Sequence, residues 1–128
     1  MLFRSLTVNP LPDAGTISGL TTVCISATIT LADTTSGGTW SASNSHATIT
    51  SGGVVTGVSA GVDTIMYSVT NSCGTATATY VDTVNSLPSA GTITGSDSVC
   101  LGATVTLNET VTGGIWSSAN TAIATIDG

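Results

Sequence analysis

Few residues in this chain are equipped for acid–base, nucleophilic or metal chemistry. His46 is the only imidazole, Arg4 the only fixed cation, and there is no lysine. His46 lies in the loop Ser43-Asn44-Ser45-His46. A Ser/His/Asp triad meets only in space and so cannot be read from spacing. Against one, an internal copy of this stretch carries Ala122 where His46 stands, and no glycine-bracketed serine elbow occurs. His46 therefore reads as an exposed loop histidine, and no catalytic residue is expected. The acids Asp13, Asp33, Asp63, Asp82, Asp97, Glu109 and Asp127 are scattered, whereas a calcium loop needs closely spaced oxygens. Asp33 and Glu109 occupy equivalent positions and read as turn-capping acids. An interdomain calcium near Asp13 or Asp82 is the less favoured alternative, and neither a metal nor a cofactor is expected. Without lysine, an intramolecular Lys–Asn isopeptide link is impossible.

The three cysteines are the remaining reactive groups. Cys24 and Cys73 stand 49 residues apart with Trp40 between them, and a Cys…Trp…Cys order is the pattern of a stapled two-sheet domain. Such a staple contributes about 4 kcal/mol in the chain-entropy estimate and implies an oxidising compartment. Trp40 is then the natural side chain to pack on the sulfur pair. Two buried free thiols beside a core tryptophan are the alternative. Cys100 has no counterpart of Cys73 in this chain and is expected to be unpaired or joined to another chain.

The elements that must position these residues follow from composition and repetition. Charged residues are 6% of the chain and the net charge is −6, against a usual quarter or so charged. With 41% hydrophobic residues the chain is not a disordered polyelectrolyte. No apolar run approaches the ~20 residues of a membrane span. One arginine cannot displace counterions from nucleic acid or bind an anionic lipid surface. The chain holds 26 Thr, 17 Ser and 15 Gly, and β-branched side chains favour pleated strands.

Leu11-Pro12-Asp13-Ala14-Gly15-Thr16-Ile17 returns as Leu87-Pro88-Ser89-Ala90-Gly91-Thr92-Ile93, and Val23-Cys24 as Val99-Cys100. Gly37-Gly38-Thr39-Trp40-Ser41 returns as Gly113-Gly114-Ile115-Trp116-Ser117, so Trp40 and Trp116 both read as core residues. Every pair is 76 positions apart, and 19 of 34 positions match between 11–44 and 87–120. Thr7-Val8-Asn9 likewise matches Thr83-Val84-Asn85. Residues 1–10 thus read as the last strand of a preceding unit, 11–86 as one full unit, and 87–128 as the first half of another. The start shows no secretion signal, and the chain reads as an excerpt.

Strands are expected near Thr16–Ser18, Val23–Leu31, Gly38–Ala42, Ala47–Thr50, Val54–Val58, Thr64–Thr70 and Thr75–Val84. In the last two, Ile65, Tyr67 and Val69, then Ala76, Ala78 and Tyr80, form one apolar face at period two. About seven strands in 76 residues, separated by glycine-bearing turns, describe an antiparallel sandwich.

Trp116-Ser117-Ser118-Ala119-Asn120 followed by Ile123-Ala124-Thr125-Ile126 resembles the signature of bacterial immunoglobulin-like domains of group 2. Val55-Thr56-Gly57-Val58-Ser59-Ala60-Gly61 is similar to that family's next segment. The Leu-Pro-x-Ala-Gly-Thr-Ile opening and the turn Asn71-Ser72-Cys73-Gly74-Thr75 are similar to Cys-containing versions in giant Bacteroidota surface proteins. The resemblance implies tandem immunoglobulin-like antiparallel β-sandwich repeats and an extracellular or cell-surface location. It also implies a role in an adhesin, stalk, gliding-related protein or phage tail decoration, with no catalytic residues.

Its expected partners are neighbouring repeats or identical subunits, or a host or matrix glycan or protein. A structural stalk or filament is the favoured function, with head-to-tail strand complementation by residues 1–10. A glycan- or protein-binding module gripping through Asn44–His46 is the alternative. Asp33-Thr34, Asp63-Thr64, Asp82-Thr83 and Asp97-Ser98 resemble the Bacteroidota O-glycosylation motif, making Thr34, Thr64, Thr83 and Ser98 candidate sugar sites. Asn108-Glu109-Thr110 matches the N-glycosylation acceptor. Thr-x-Thr pairs such as Thr75/Thr77/Thr79 raise an ice-binding surface, though outward-facing strand threonines explain them more simply.

Overall fold

The computed structural model describes residues 3–128, and every regular element among them is a strand. In chain order these are β1 (Ile17–Ser18), β2 (Thr22–Cys24), β3 (Thr28–Thr30), β4 (Ala32–Asp33), β5 (Thr39–Ala42) and β6 (Ala47–Ile49). They continue with β7 (Val54–Gly57), β8 (Gly61–Asn71), β9 (Gly74–Asn85), β10 (Ile93–Thr94) and β11 (Asn108–Glu109). The chain divides after Leu87 into two compact units.

In the first unit, alternation of apolar and hydroxyl side chains over Gly61–Asn85 produces the long hairpin β8–β9, paired from Gly61↔Val84 to Asn71↔Gly74. It forms the centre of a four-stranded sheet in the order β2-β9-β8-β5. A second sheet, β3-β7-β6, supplies the facing residues. One core draws on both: Val23, Ile65, Tyr67 and Val84 from the first, Ala47 and Val55 from the second, with Ile17 and Leu31 closing it. Trp40 is half-buried against this core, its ring centroid 4.6 Å from that of Tyr67. The Tyr67 hydroxyl accepts from Gly38 N–H and donates to Thr35 O, both at 2.8 Å, which ties the turn before β5 to the core.

Two expectations about strands need correction. The pairing is not purely antiparallel, because β2 runs parallel to β9 with Cys24 opposite Asn85. Nor is Val23–Leu31 one strand. It turns a corner at Ser26, whose φ is +66°. Ile25 N–H donates to Asn85 O on one sheet, and Ser26 N–H donates to Gly57 O on the other. The corner lets one segment serve both sheets.

The second unit, Pro88–Gly128, repeats the opening of the first. Ile17↔Asp33 and Ser18↔Ala32 pair in β1–β4, and Ile93↔Glu109 and Thr94↔Asn108 pair in β10–β11. Thr16 N–H donates to Thr34 Oγ1 at 2.9 Å, and Thr92 N–H to Thr110 Oγ1 at 3.0 Å. Gly15 and Gly91 hold the same left-handed φ, +71° and +73°. At either, a Cβ would run into the capping acid, Asp33 or Glu109. The corner recurs too, with Gly102 at φ +76° in the place of Ser26. Beyond these matches the second unit has no further strands, and Leu101, Ile115 and Ile123 are exposed. Counterparts of β7, β8 and β9 are not among its residues. Trp116 is accordingly half-buried beside an open cleft of about 580 Å³, instead of in a core.

Residues 3–10 form no strand, and Phe3, Leu6 and Val8 are exposed. Met1 and Leu2, also assigned to a preceding unit's last strand, lie outside the described residues. Among the described residues no helix is long and apolar enough to cross a membrane.

Candidate functional site

The expected Cys24–Cys73 staple is absent: both thiols are free and exposed, as is Cys100. Strand geometry gives the reason. Cys24 sits opposite Asn85, the last residue of β9, whereas Cys73 directly precedes Gly74, the first. The 12 residues of β9 separate them, which at ~3.3 Å per residue is about 40 Å. A disulfide needs Cα atoms within about 7 Å. The order Cys…Trp…Cys in sequence says nothing about which end of a strand each cysteine reaches. Trp40 therefore packs on Tyr67 and not on sulfur.

The two cysteines instead mark the ends of the unit. At the Cys73 end, Asn71 shapes the hairpin turn by accepting Cys73 N–H at 2.8 Å. Its Nδ2 donates to Pro10 O at 3.1 Å, and Cys73 Sγ lies 3.5 Å from Asn9 O. The incoming segment is thus fastened to the turn. At the Cys24 end, β9 finishes beside β2, and Asn85 O accepts Ile25 N–H at 3.0 Å.

Near that second end lies a feature missed at the sequence level. Asp63 and Asp82 are opposite one another in β8–β9 and both are 0% exposed. Asp63 Oδ1 accepts Ser43 N–H at 3.1 Å, Ser43 Oγ–H at 2.9 Å and Asn44 N–H at 3.2 Å. Its Oδ2 accepts the buried Ala47 N–H at 3.1 Å. One carboxyl group therefore holds the whole Ser43–His46 loop against the hairpin. Asp82 has no partner for either oxygen. Burial pushes its pKa above 3.8, and the neighbouring Asp63 adds to the rise. Thr83 N–H offsets this in part, being already donated to Thr21 O at 2.9 Å. The signal was available: Asp63 shares parity with Ile65 and Tyr67, and Asp82 with Tyr80 and Val84, so both fall on the apolar face.

His46 is half-buried, not freely exposed as expected. Its Nδ1 is 2.9 Å from Ser59 Oγ, and its ring lies where a Cβ on Gly61 would stand. Asp33 caps its turn through Thr35 N–H at 2.7 Å, and Glu109 does so through Thr110 N–H at 2.8 Å. Asp13 accepts Gly15 N–H at 2.9 Å. Among the described residues no three His, Cys, Asp or Glu side chains converge on one point. Of the candidate sugar sites, Thr34 and Ser98 are exposed, whereas Thr64 and Thr83 are half-buried within paired strands behind buried Asp63 and Asp82. On the outer face of the hairpin, Ser68 and Thr77 bond each other at 2.9 Å and Thr70 and Thr75 at 2.8 Å. Those hydroxyls are engaged with one another, which leaves fewer to order ice-like water.

No protein-family model matches the chain, and neither a curated protein nor a solved structure matches it.

Proposed function

We propose that this chain is part of a tandem array of immunoglobulin-like β-sandwich units in an extracellular bacterial stalk, adhesin or filament, with a structural role and no catalytic one. The observation that carries this reading is the placement of the chain's two ways through the unit. It arrives at the Asn71–Gly74 turn, where Asn9 and Pro10 are held, and leaves from Asn85 at the far end of β9. The chain thus crosses this unit from one end to the other, a span of about 40 Å from the strand rise. Short segments with proline, such as Val8-Asn9-Pro10-Leu11-Pro12, stiffen the joints.

Assembly between copies belongs to the same proposal. The second unit leaves apolar residues uncovered along an open cleft of about 1210 Å³ lined by Val99, Leu101, Leu107, Trp116, Ile123 and Ile126. Residues 7–9 repeat the sequence that fills the matching place in the first unit. Strand addition from a second copy would cover part of that surface. A continuous coding sequence with many such units behind a secretion signal is expected. A lone unit embedded in an intracellular enzyme would refute the array. Electron microscopy of the purified chain tests assembly: head-to-tail oligomers support strand complementation, and only monodisperse monomers at high concentration overturn it.

A further inference from the structure

The turn before the tryptophan has the same backbone in both units but different surroundings. In the first unit Gly37 takes φ +85°, and Gly38 N–H donates to the Tyr67 hydroxyl at 2.8 Å. That hydroxyl donates in turn to Thr35 O at 2.8 Å. The tyrosine ring fills the space above Gly38, where a Cβ would stand 2.5 Å from Tyr67 Cζ. In the second unit Gly113 takes φ +90°, and Val111, Gly114 and Trp116 stand for Thr35, Gly38 and Trp40. Here a Cβ on Gly114 would meet nothing within 4 Å. Among the described residues, neither Gly114 N–H nor Val111 O has a hydrogen-bonding partner. Both residues line the open cleft of about 580 Å³ beside Trp116, together with Ile93 and Leu107. The counterparts of those two, Ile17 and Leu31, share the first unit's core with Tyr67. Donor, acceptor, indole and apolar floor are therefore all set by the second unit's own residues.

We infer that this cleft binds a tyrosine side chain presented by an extended peptide segment of another protein. The first unit shows how such a segment sits. Tyr67 lies opposite Trp40 in the antiparallel β5–β8 pairing, with Ile65 opposite Ala42. Residues 115–118, the counterparts of β5, belong to no sheet, so their backbone groups are open to an added strand. A segment pairing there brings its tyrosine opposite Trp116 and an apolar residue, two positions earlier, opposite Ser118. The tyrosine hydroxyl accepts from Gly114 N–H and donates to Val111 O. Phenylalanine is disfavoured, because its ring covers both polar groups and leaves them unpaired. A folded copy of this chain is not the donor, since its Tyr67 is 5% exposed and already engaged. The cleft belongs wholly to the second unit, so the site requires no particular placement of one unit against the other.

The test titrates the full chain into a fluorescein-tagged synthetic peptide of residues 61–71, the strand known to fit such a turn, and reads anisotropy. The parental peptide is compared with Tyr67→Phe and Tyr67→Ala versions. Saturable binding is expected for the parental peptide. Affinity should fall about tenfold for Tyr67→Phe, which lacks a pair of neutral hydrogen bonds, and about a hundredfold for Tyr67→Ala, which lacks the anchoring ring. Gly114→Ala in the chain should remove binding, because its Cβ takes the place of the ring. Its thermal melting should match the parent's, since that Cβ meets nothing in the free chain. Should the variant melt differently, the Gly114 amide nuclear-magnetic-resonance signal of the parent chain decides instead. It should move downfield with the parental peptide and stay in place with Tyr67→Phe. Equal affinities for the three peptides, or binding that survives Gly114→Ala with unchanged melting, would reveal a merely apolar surface and overturn the inference. No saturation up to about 1 mM peptide overturns it as well. Binding of p-cresol at the Gly114 amide without binding of the peptide would assign the cleft to a small phenol and remove the strand.

Discussion

Replacing Asp63 with alanine should unfasten the Ser43–His46 loop and cost the first unit a large share of its stability. Four donors lose an acceptor: the N–H groups of Ser43, Asn44 and Ala47 and the hydroxyl of Ser43. They do not lose equally. Ser43 N–H keeps Thr64 O at 3.0 Å, and Ser43 Oγ keeps Thr64 N–H at 3.2 Å. Asn44 is exposed and can turn to water. Ala47 is 1% exposed, and its N–H is left without a partner, which costs about 1–3 kcal/mol. Adding roughly 1 kcal/mol for the other weakened bonds and about 1 kcal/mol for the void gives a loss of about 3–5 kcal/mol. For a unit of this size, that lowers the melting temperature by on the order of 20 °C. Urea denaturation followed by Trp40 fluorescence, with melting by circular dichroism, measures it. Hydrogen exchange should show faster exchange at Ala47. A variant within about 0.5 kcal/mol of the parent, inside the range of an ordinary surface change, would refute the idea that this carboxyl group holds the loop.

Asp82 should behave in the opposite way. Its folded pKa lies above 3.8, so its contribution to stability is fully present below 3.8 and is lost as pH rises through the folded value. Asp82→Asn should therefore flatten the decline in stability from pH 4 to 7, and unchanged pH profiles by thermal melting would contradict this. Tyr67→Phe removes a hydroxyl with two 2.8 Å bonds and should cost about 1–2 kcal/mol, read by urea denaturation. Ser26→Gly should stabilise by about 0.5 kcal/mol, because a left-handed φ of +66° costs a non-glycine residue about 1 kcal/mol and glycine's freedom in the unfolded chain returns part of it. A destabilised variant would show that the serine side chain matters at the corner.

The long hairpin was legible because its alternation runs for many residues with one apolar face. The same alternation held the buried acids in view, since Asp63 and Asp82 keep the parity of Ile65 and Tyr80. They were passed over because an acid is expected outside, and only the packed structure shows how the loop amides reward Asp63. The corner at Ser26 is invisible in the first copy, where serine gives no sign of a left-handed φ. Gly102 in the second copy marks it, so the repeat held information that neither copy gives alone. The parallel β2–β9 pairing involves 3 residues, too few for any periodicity. Cys24 and Cys73 were misjoined for a different reason. Spacing along the chain fixes loop length but not the end of the strand at which each cysteine arrives, and β9 carries one away from the other.

The most direct measurement is the distance between those cysteines. With Cys100 replaced by serine, nitroxide labels on Cys24 and Cys73 of the monomeric chain should give a pulsed electron-resonance distance of about 40 Å, the length of β9 from its strand rise. A distance below about 15 Å, with the labelled sites as close as a disulfide requires, would place both at one end and contradict a unit that the chain crosses from tip to tip.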